Sequence, residues 1–281
     1  MLKQKSIVRK GIFSRLTSRP YLVLASLCCL TISATVVANT ITTPILSLLF
    51  EDSECQAAEL FSRDEFNCDT LSIDNSPWEF VNESSVVASI ANGGLFLELA
   101  GRRLWFDDDQ GVLMHRPVSG NFKATTSVRV YRTSDSNLLP QGAVQLAGLM
   151  VRDPASDMGS ENYLFIVAGF DVNDISVETK TTINNVSTFE GPSWSGGEAE
   201  LRICRIGTTF YLYKRLPGQS TWQVADDPMT NPVWPFVRPD LPTELQLGLN
   251  IYTSISNYDI TARFEYLTVE MASTVADCTQ D

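Results

Sequence analysis

One histidine, His115, serves the whole chain of 281 residues, and no C-x-x-C pair occurs. A zinc centre built from Cys and His, which takes four such ligands, is therefore poorly supplied. The text G-x-S-x-G is missing; its nearest approach, Gly191-Pro192-Ser193-Trp194-Ser195, lacks the final glycine, so there is no nucleophile elbow. A Ser/His/Asp triad would have to recruit His115, which lies in MHRPVSG, a stretch that reads as a strand entering a turn. A solvated or structurally hydrogen-bonded histidine is the simpler reading there. No phosphate loop of the G-x-x-x-x-G-K type is present. E-x-D occurs nowhere, so the E-x-D-x-x-E pattern that would set acids on one strand face for glycoside hydrolysis is missing, although two carboxylates could still converge from separate strands. These absences weigh against an enzyme, and nothing calls for a cofactor.

Acidic side chains are missing from the first 50 residues, where all charge is basic: Lys3, Lys5, Arg9, Lys10, Arg15 and Arg19. The other 15 of the 21 Lys and Arg face all 33 Asp and Glu from Glu51 onward, a balance of −18. So acidic a body repels phosphate backbones, which argues against nucleic acid as a partner. Between the basic leader and the acidic body, the 18 residues Tyr21–Ala38 carry no charge. A basic flank, an apolar run and the V-x-A pattern Val36–Ala38 are the marks of an export signal. The alternative is an uncleaved anchor, for which 18 residues fall just short of the roughly 20 that span a bilayer. Either way the membrane is met only through this segment, and the positive-inside tendency places the body outside the cytoplasm, secreted or membrane-anchored. Leu27 stands before Cys28 where a lipobox needs a small residue.

Six cysteines are present, and Cys28 and Cys29 lie inside the apolar run. Cys55, Cys68, Cys204 and Cys278 remain, and export would permit disulfides among them. Cys68 opens the body and Cys278 closes it, and domain termini often lie close together. Cys278 is therefore expected to pair with Cys68 or Cys55, leaving Cys204 reduced on its strand.

The leader and apolar run occupy residues 1–38. Residues 39–67 read as a linker, 68–271 as one β domain and 272–281 as a tail. Short runs rich in β-branched and aromatic residues predict strands near 86–90, 94–100, 103–107, 121–131, 143–152, 161–169, 175–182, 199–205, 208–215, 244–253 and 260–270. So many short strands with period-2 alternation predict an all-β, two-sheet antiparallel sandwich or barrel, preceded by the hydrophobic export or anchor helix. In 245–252, Leu245, Leu247, Leu249 and Ile251 share one face, and a one-residue slip would bury the polar set instead.

Several pieces match a known pattern: Leu95–Leu97, MHRPVSGNF at 114–122, GLMVR at 148–152, VETKTTINNVST at 177–188, LRICRIGTTFYLY at 201–213, GQSTW at 218–222, Pro239–Leu241 and Leu247–Leu249. With these, Trp78–Val269 resembles the bacterial concanavalin A-like lectin/glucanase domains of unknown function, related to the accessory C-terminal domain of some β-xylosidases. The resemblance implies a two-sheet jelly roll, and loosely a carbohydrate or surface interaction.

The candidate ligand-binding residues are Arg152, Glu178, Lys180, Arg202, Tyr211, Tyr213, Asn250 and Tyr252, all in the non-core phase of their predicted strands. On neighbouring strands they would form a patch of guanidinium groups, amides and aromatic rings suited to sugar hydroxyls. The plainer reading is an exposed sheet face with cross-strand pairs. Trp194, between Pro192 and Gly196-Gly197, is a separate loop candidate; Trp105 and Trp222 are expected in or at the edge of the core. Asp107–Asp109 and the turn Asp171, Asn173, Asp174 could offer oxygens to calcium, but consecutive acids do not face one point, and no metal ligand is assigned. The leading functional expectation is an extracytoplasmic, non-catalytic carbohydrate-binding domain. A structural or adhesion module binding protein or cell envelope comes second, and a glycoside hydrolase with dispersed acids third.

Overall fold

The computed structural model describes residues 63–66, 78–226 and 234–281. The leader, the Tyr21–Ala38 run, Cys55 and Cys68 lie outside them. Among the described residues no helix is long and apolar enough to cross a membrane.

The strands are β1 (Arg63–Asp64), β2 (Glu79–Val81), β3 (Val86–Ile90), β4 (Leu95–Leu99), β5 (Val112–Ser119), β6 (Phe122–Tyr131), β7 (Gln145–Arg152) and β8 (Tyr163–Phe170). They continue with β9 (Ile175–Ile183), β10 (Val186–Glu190), β11 (Glu198–Ile206), β12 (Thr209–Arg215), β13 (Gln223–Val224), β14 (Phe236–Val237), β15 (Glu244–Thr253) and β16 (Thr261–Met271). A larger sheet runs β13-β12-β11-β6-β16-β4-β3, with β1 on β16 and β14 on β12; a smaller sheet runs β10-β9-β8-β7-β15-β5-β2. The pairings are antiparallel.

The core lies between the two sheets because alternate residues of each strand point there. Leu245, Leu247, Leu249 and Ile251 of β15 meet Leu201 and Ile203 of β11 and Phe210 and Leu212 of β12 in one cluster, all with zero exposure. Burying such a side chain stabilises the fold by about 1.5–3 kcal/mol. The period-2 phase expected for β12 and β15 is the one observed.

Four expectations need correction. Residues 103–107 form no strand: after β4 the chain crosses the smaller sheet, and a left-handed Asp107 (φ 51°) turns it back through an isolated Phe106–Asp109 bridge. The pairing strand comes later, as β5, which contains Pro117; the proline stands opposite Gln246 of β15, and on its other side β2 pairs β5 only as far as His115. The linker expected over 39–67 gives way to sheet pairing by Arg63, and Phe66 is buried in the core. Finally, Cys278 pairs with Cys204 across a sequence separation of 74 residues, so Cys204 is not reduced. The stretch 272–281, read as a tail outside the domain, turns through a 3-10 segment, Val275–Thr279, and lies against the larger sheet.

Candidate functional site

The nine candidate residues do not form one patch. Arg152, Glu178, Lys180, Asn250 and Tyr252 lie on the smaller sheet; Arg202, Tyr211 and Tyr213 lie on the larger one, with the core between; Trp194 sits in a loop.

Register builds the outer face of the smaller sheet in rows. Lys180, Phe165, Met150, Gly248, His115 and Glu79 lie side by side, and Glu178, Val167, Gly148, Asn250 and Leu113 form the next row. The phase is as expected, but the face is not open. The segment between β4 and β5 lies across it, with Trp105 at zero exposure against Tyr163. Gln110 Nε2 donates to Glu161 Oε1 at 2.5 Å, and Asp107 N donates to Ser187 Oγ at 2.8 Å. Beneath that cover Arg152 spends its guanidinium on both oxygens of Glu161 (2.9 and 2.8 Å), on Gln246 Oε1 and on Ser156 O. Lys180 Nζ stands 3.1 Å from Glu178 Oε1 and 5.0–5.5 Å from the ring centres of Phe165, Phe189, Phe106 and Tyr252. Burial pushes the Glu178 carboxyl up against the pull of Lys180 and Tyr252, and pushes the Tyr252 hydroxyl well up. These groups already satisfy one another.

His115, expected solvated or hydrogen-bonded, is 4% exposed, and its Nδ1 has no hydrogen-bond partner. Burial lowers its pKa, with Glu79 opposing and Arg152 adding to the fall.

The outer face of the larger sheet carries rows of its own. Thr268, Thr125, Arg202 and Tyr213 lie side by side, as do Tyr266, Ser127, Glu200 and Arg215. The returning tail covers one end of it. Arg202 donates Nε to Thr125 Oγ1 at 2.8 Å, Nη1 to the main-chain oxygens of Cys278 and Gln280, and Nη2 to Asp281 Oδ1 at 3.2 Å. Arg215 donates to Glu200 and, at 2.7 Å, to Asp281 Oδ2. Trp222 Nε1 reaches Asp281 Oδ1 at 3.0 Å, with both guanidinium carbons about 4 Å from its ring centre. Tyr213 is 5% exposed, packed with Trp222 and the disulfide; Tyr211 is half-buried beside Trp234. Trp222 therefore packs outside the inter-sheet core. Beyond the tail the face opens as a groove of about 710 Å³, lined by Arg63, Thr125, Glu200, Arg202, Arg215, Tyr266, Thr268, Val269, Glu270 and Asp281.

Partial burial pushes the Asp281 carboxyl up, but bonds from Arg215 and Trp222 and both guanidinium charges outweigh it and hold the group at about 2. Trp194 Nε1 donates to Glu198 O, and the ring lies 5.4 Å from Lys214 Nζ. The acidic turns serve the backbone: Asp107 Oδ1 accepts from Ser187 N, Asp171 Oδ1 from Val172 N and Asp174 Oδ1 from Ile175 N. Of the groove residues, only Arg202 was singled out in the sequence. Glu200 and Arg215 share its outward phase and could have been added on that ground; Arg63 and Asp281, in segments read as linker and tail, gave no signal.

Solved structures resemble this chain in fold at low identity. A functionally unknown protein from Saccharomyces cerevisiae matches with TM-score 0.56 and 13% identity, over 70% of this chain and 98% of that one. The GH43 protein BlXynB from Bacillus licheniformis matches with TM-score 0.54 and 16% identity over 75% of this chain. A xylan β-1,4-xylosidase from Bacillus halodurans C-125 gives 0.53 and 15% over 74%. The chain spans only 39% of the length of each of those two. No family model matches the sequence, and no curated protein matches it. The shared property is the two-sheet antiparallel β-sandwich, and at these identities fold does not fix function.

Proposed function

We propose that the acidic body is a non-catalytic carbohydrate-binding domain of the concanavalin A-like jelly-roll kind, held outside the cytoplasm by Tyr21–Ala38 acting as signal or anchor. The observation that carries this reading is the groove on the larger sheet. Its volume, about 710 Å³, is that of a small-ligand site. Three guanidinium groups, three carboxylates and the hydroxyls of Thr125, Thr268 and Tyr266 line it. Such a mixture of donors and acceptors suits a row of sugar hydroxyls, each of which both gives and takes a hydrogen bond.

The groove's acids are poorly placed for catalysis. Glu200 is tied to Arg215 and Tyr266, Glu270 lies 3.2 Å from Lys123 Nζ, and Asp281 is held at about 2, the wrong direction for a general acid. Export is supported by the Cys204–Cys278 disulfide, a bond that persists in oxidising compartments.

The adhesion reading rests on a different place. Edge strand β10 and its turn expose Val186 (68%) and Ile183 (42%), which lie opposite each other, an apolar pair next to unpaired strand groups. Titration calorimetry of the full chain against neutral and acidic oligosaccharides separates the two. Binding that Thr268→Arg abolishes by filling the groove, without a change in melting temperature, supports the carbohydrate reading. If no glycan binds the wild-type chain, that reading falls and adhesion takes its place.

A further inference from the structure

The end of the groove is shaped around a carboxylate. Arg202 Nη2, Arg215 Nη1 and Trp222 Nε1 converge on the two side-chain oxygens of Asp281 at 3.2, 2.7 and 3.0 Å. The receptor side chains are shielded: Arg202 and Arg215 side chains are 3% and 11% exposed, while the Asp281 side chain they hold is 55% exposed. A receptor more deeply set than its occupant is what exchange with an outside ligand requires. Arg202 is fixed independently by Thr125, and Arg215 by Glu200, so neither donor depends on Asp281 for its position. The disulfide holds Cys278 to β11, so displacing the Asp281 side chain need not free the whole tail.

Resting on the carbohydrate reading above, we infer that Arg202, Arg215 and Trp222 form a carboxylate subsite for an acidic sugar, a uronate unit within a glycan, and that Asp281 occupies it as an internal competitor. The charge balance fits. With Asp281 in place the groove lining carries three cations and three carboxylates; with that side chain withdrawn, the lining keeps three cations against Glu200 and Glu270, and Arg63 is paired with Glu65 outside it. The excess positive charge sits where the incoming carboxylate would lie, and the remaining hydroxyls and carboxylates lie along the neighbouring sugars. Paired donors from two guanidinium groups distinguish a carboxylate from the hydroxymethyl group of the corresponding neutral sugar.

The test is calorimetry on the full chain with two oligosaccharides that differ only in one unit, glucuronate or glucose. Asp281→Ala is expected to bind the uronate glycan about tenfold more tightly than wild type, the scale of one charge-assisted hydrogen bond, and the neutral one within twofold of wild type. Asp281→Asn, which keeps the shape of the tail contact, should show the same preference to a smaller degree. Arg215→Gln added to Asp281→Ala should erase the gain. Equal gains for both glycans, or neutral binding with no uronate gain, overturn the subsite and leave the carbohydrate reading intact. An acidic peptide that binds Asp281→Ala as tightly as the uronate glycan overturns the sugar assignment. Absence of binding by every variant defeats both readings together.

Discussion

Lys180 donates its ammonium to the main-chain oxygen of Trp105 at 3.0 Å, joining the smaller sheet to the segment that covers it. The same ammonium neutralises Glu178, whose side chain is 2% exposed. Removing one member of a buried pair strands the other charge, at a cost of about 3–5 kcal/mol. Lys180→Met should therefore lower stability by that order in urea unfolding. Lys180→Met with Glu178→Gln should recover most of the loss, because no uncompensated charge remains. If the double variant is no more stable than the single one, the ion pair is not what Lys180 contributes.

Gly111 sets how closely the covering segment lies on the sheet. A Cβ at that position would stand 2.2 Å from Cδ1 of Trp105, whose ring is fully buried and whose Nε1 donates to Val112 O. The backbone there is also held, since Asn82 Nδ2 donates to Gln110 O and Gly111 O at 3.0 and 2.8 Å. Gly111→Ala should force the indole outward at a cost of about 1–3 kcal/mol, the usual range for overpacking. Tryptophan emission should shift to the red as the ring meets water. An unchanged spectrum and melting curve would show that the segment moves aside freely.

Which way each strand faces was legible in the sequence, and what lies over the outer faces was not. Phe210 and Leu212 point inward and Tyr211 and Tyr213 outward, as alternation predicts. Alternation carries no information about a third layer, however. Tyr213 is buried because a tail from 65 residues further along the chain returns to cover it, a non-local contact with no local signature. The smaller sheet repeats the point. Asn250, Tyr252 and Glu178 have the expected outward phase, yet Trp105 arrives from a stretch that alternates well enough to pass for a strand. The chemical types of the candidates were right for a binding face. Their hydrogen bonds are largely spent on each other and on the tail, so the open part of the face lies beside them.

His115 predicts a pH response that nothing else in the chain imitates, as it is the only histidine. It faces Glu79 on β2 and Gly248 on β15, with Arg152 on β7 nearby, and burial lowers its pKa from 6.5. A folded pKa below the unfolded one means that the unfolded chain binds the extra proton first. Its contribution to stability is thus present above pH 6.5 and lost as pH falls from there toward the lowered value. Glu178, raised by burial, tilts the profile the opposite way, but it remains in both proteins compared. Wild-type unfolding free energy minus that of His115→Gln should fall between pH 7 and 5. A flat difference would mean that His115 titrates as it does in the unfolded chain.

The disulfide between Cys204 and Cys278 gives the last prediction. Peptide mapping without reduction should recover residues around Cys204 linked to residues around Cys278, and recovery of Cys278 with Cys55 or Cys68 would overturn the pairing. Closing a loop of 74 residues restricts the unfolded chain, and the loop-entropy relation puts that near 4–5 kcal/mol. Cys204→Ala should realise less than this, because the tail keeps its other ties. Arg202 still reaches the main-chain oxygens of Cys278 and Gln280, and Lys123 Nζ still donates to Gln280 O at 2.7 Å. A loss of about 2–4 kcal/mol is expected. Adding Arg202→Ala should then release the tail. Hydrogen exchange would show it as lost protection over 272–281, and Tyr213 and Trp222 would become exposed while the inter-sheet core stays protected. If Cys204→Ala alone unfolds the core strands β11 and β12, the disulfide stabilises the sandwich itself rather than the layer laid over it.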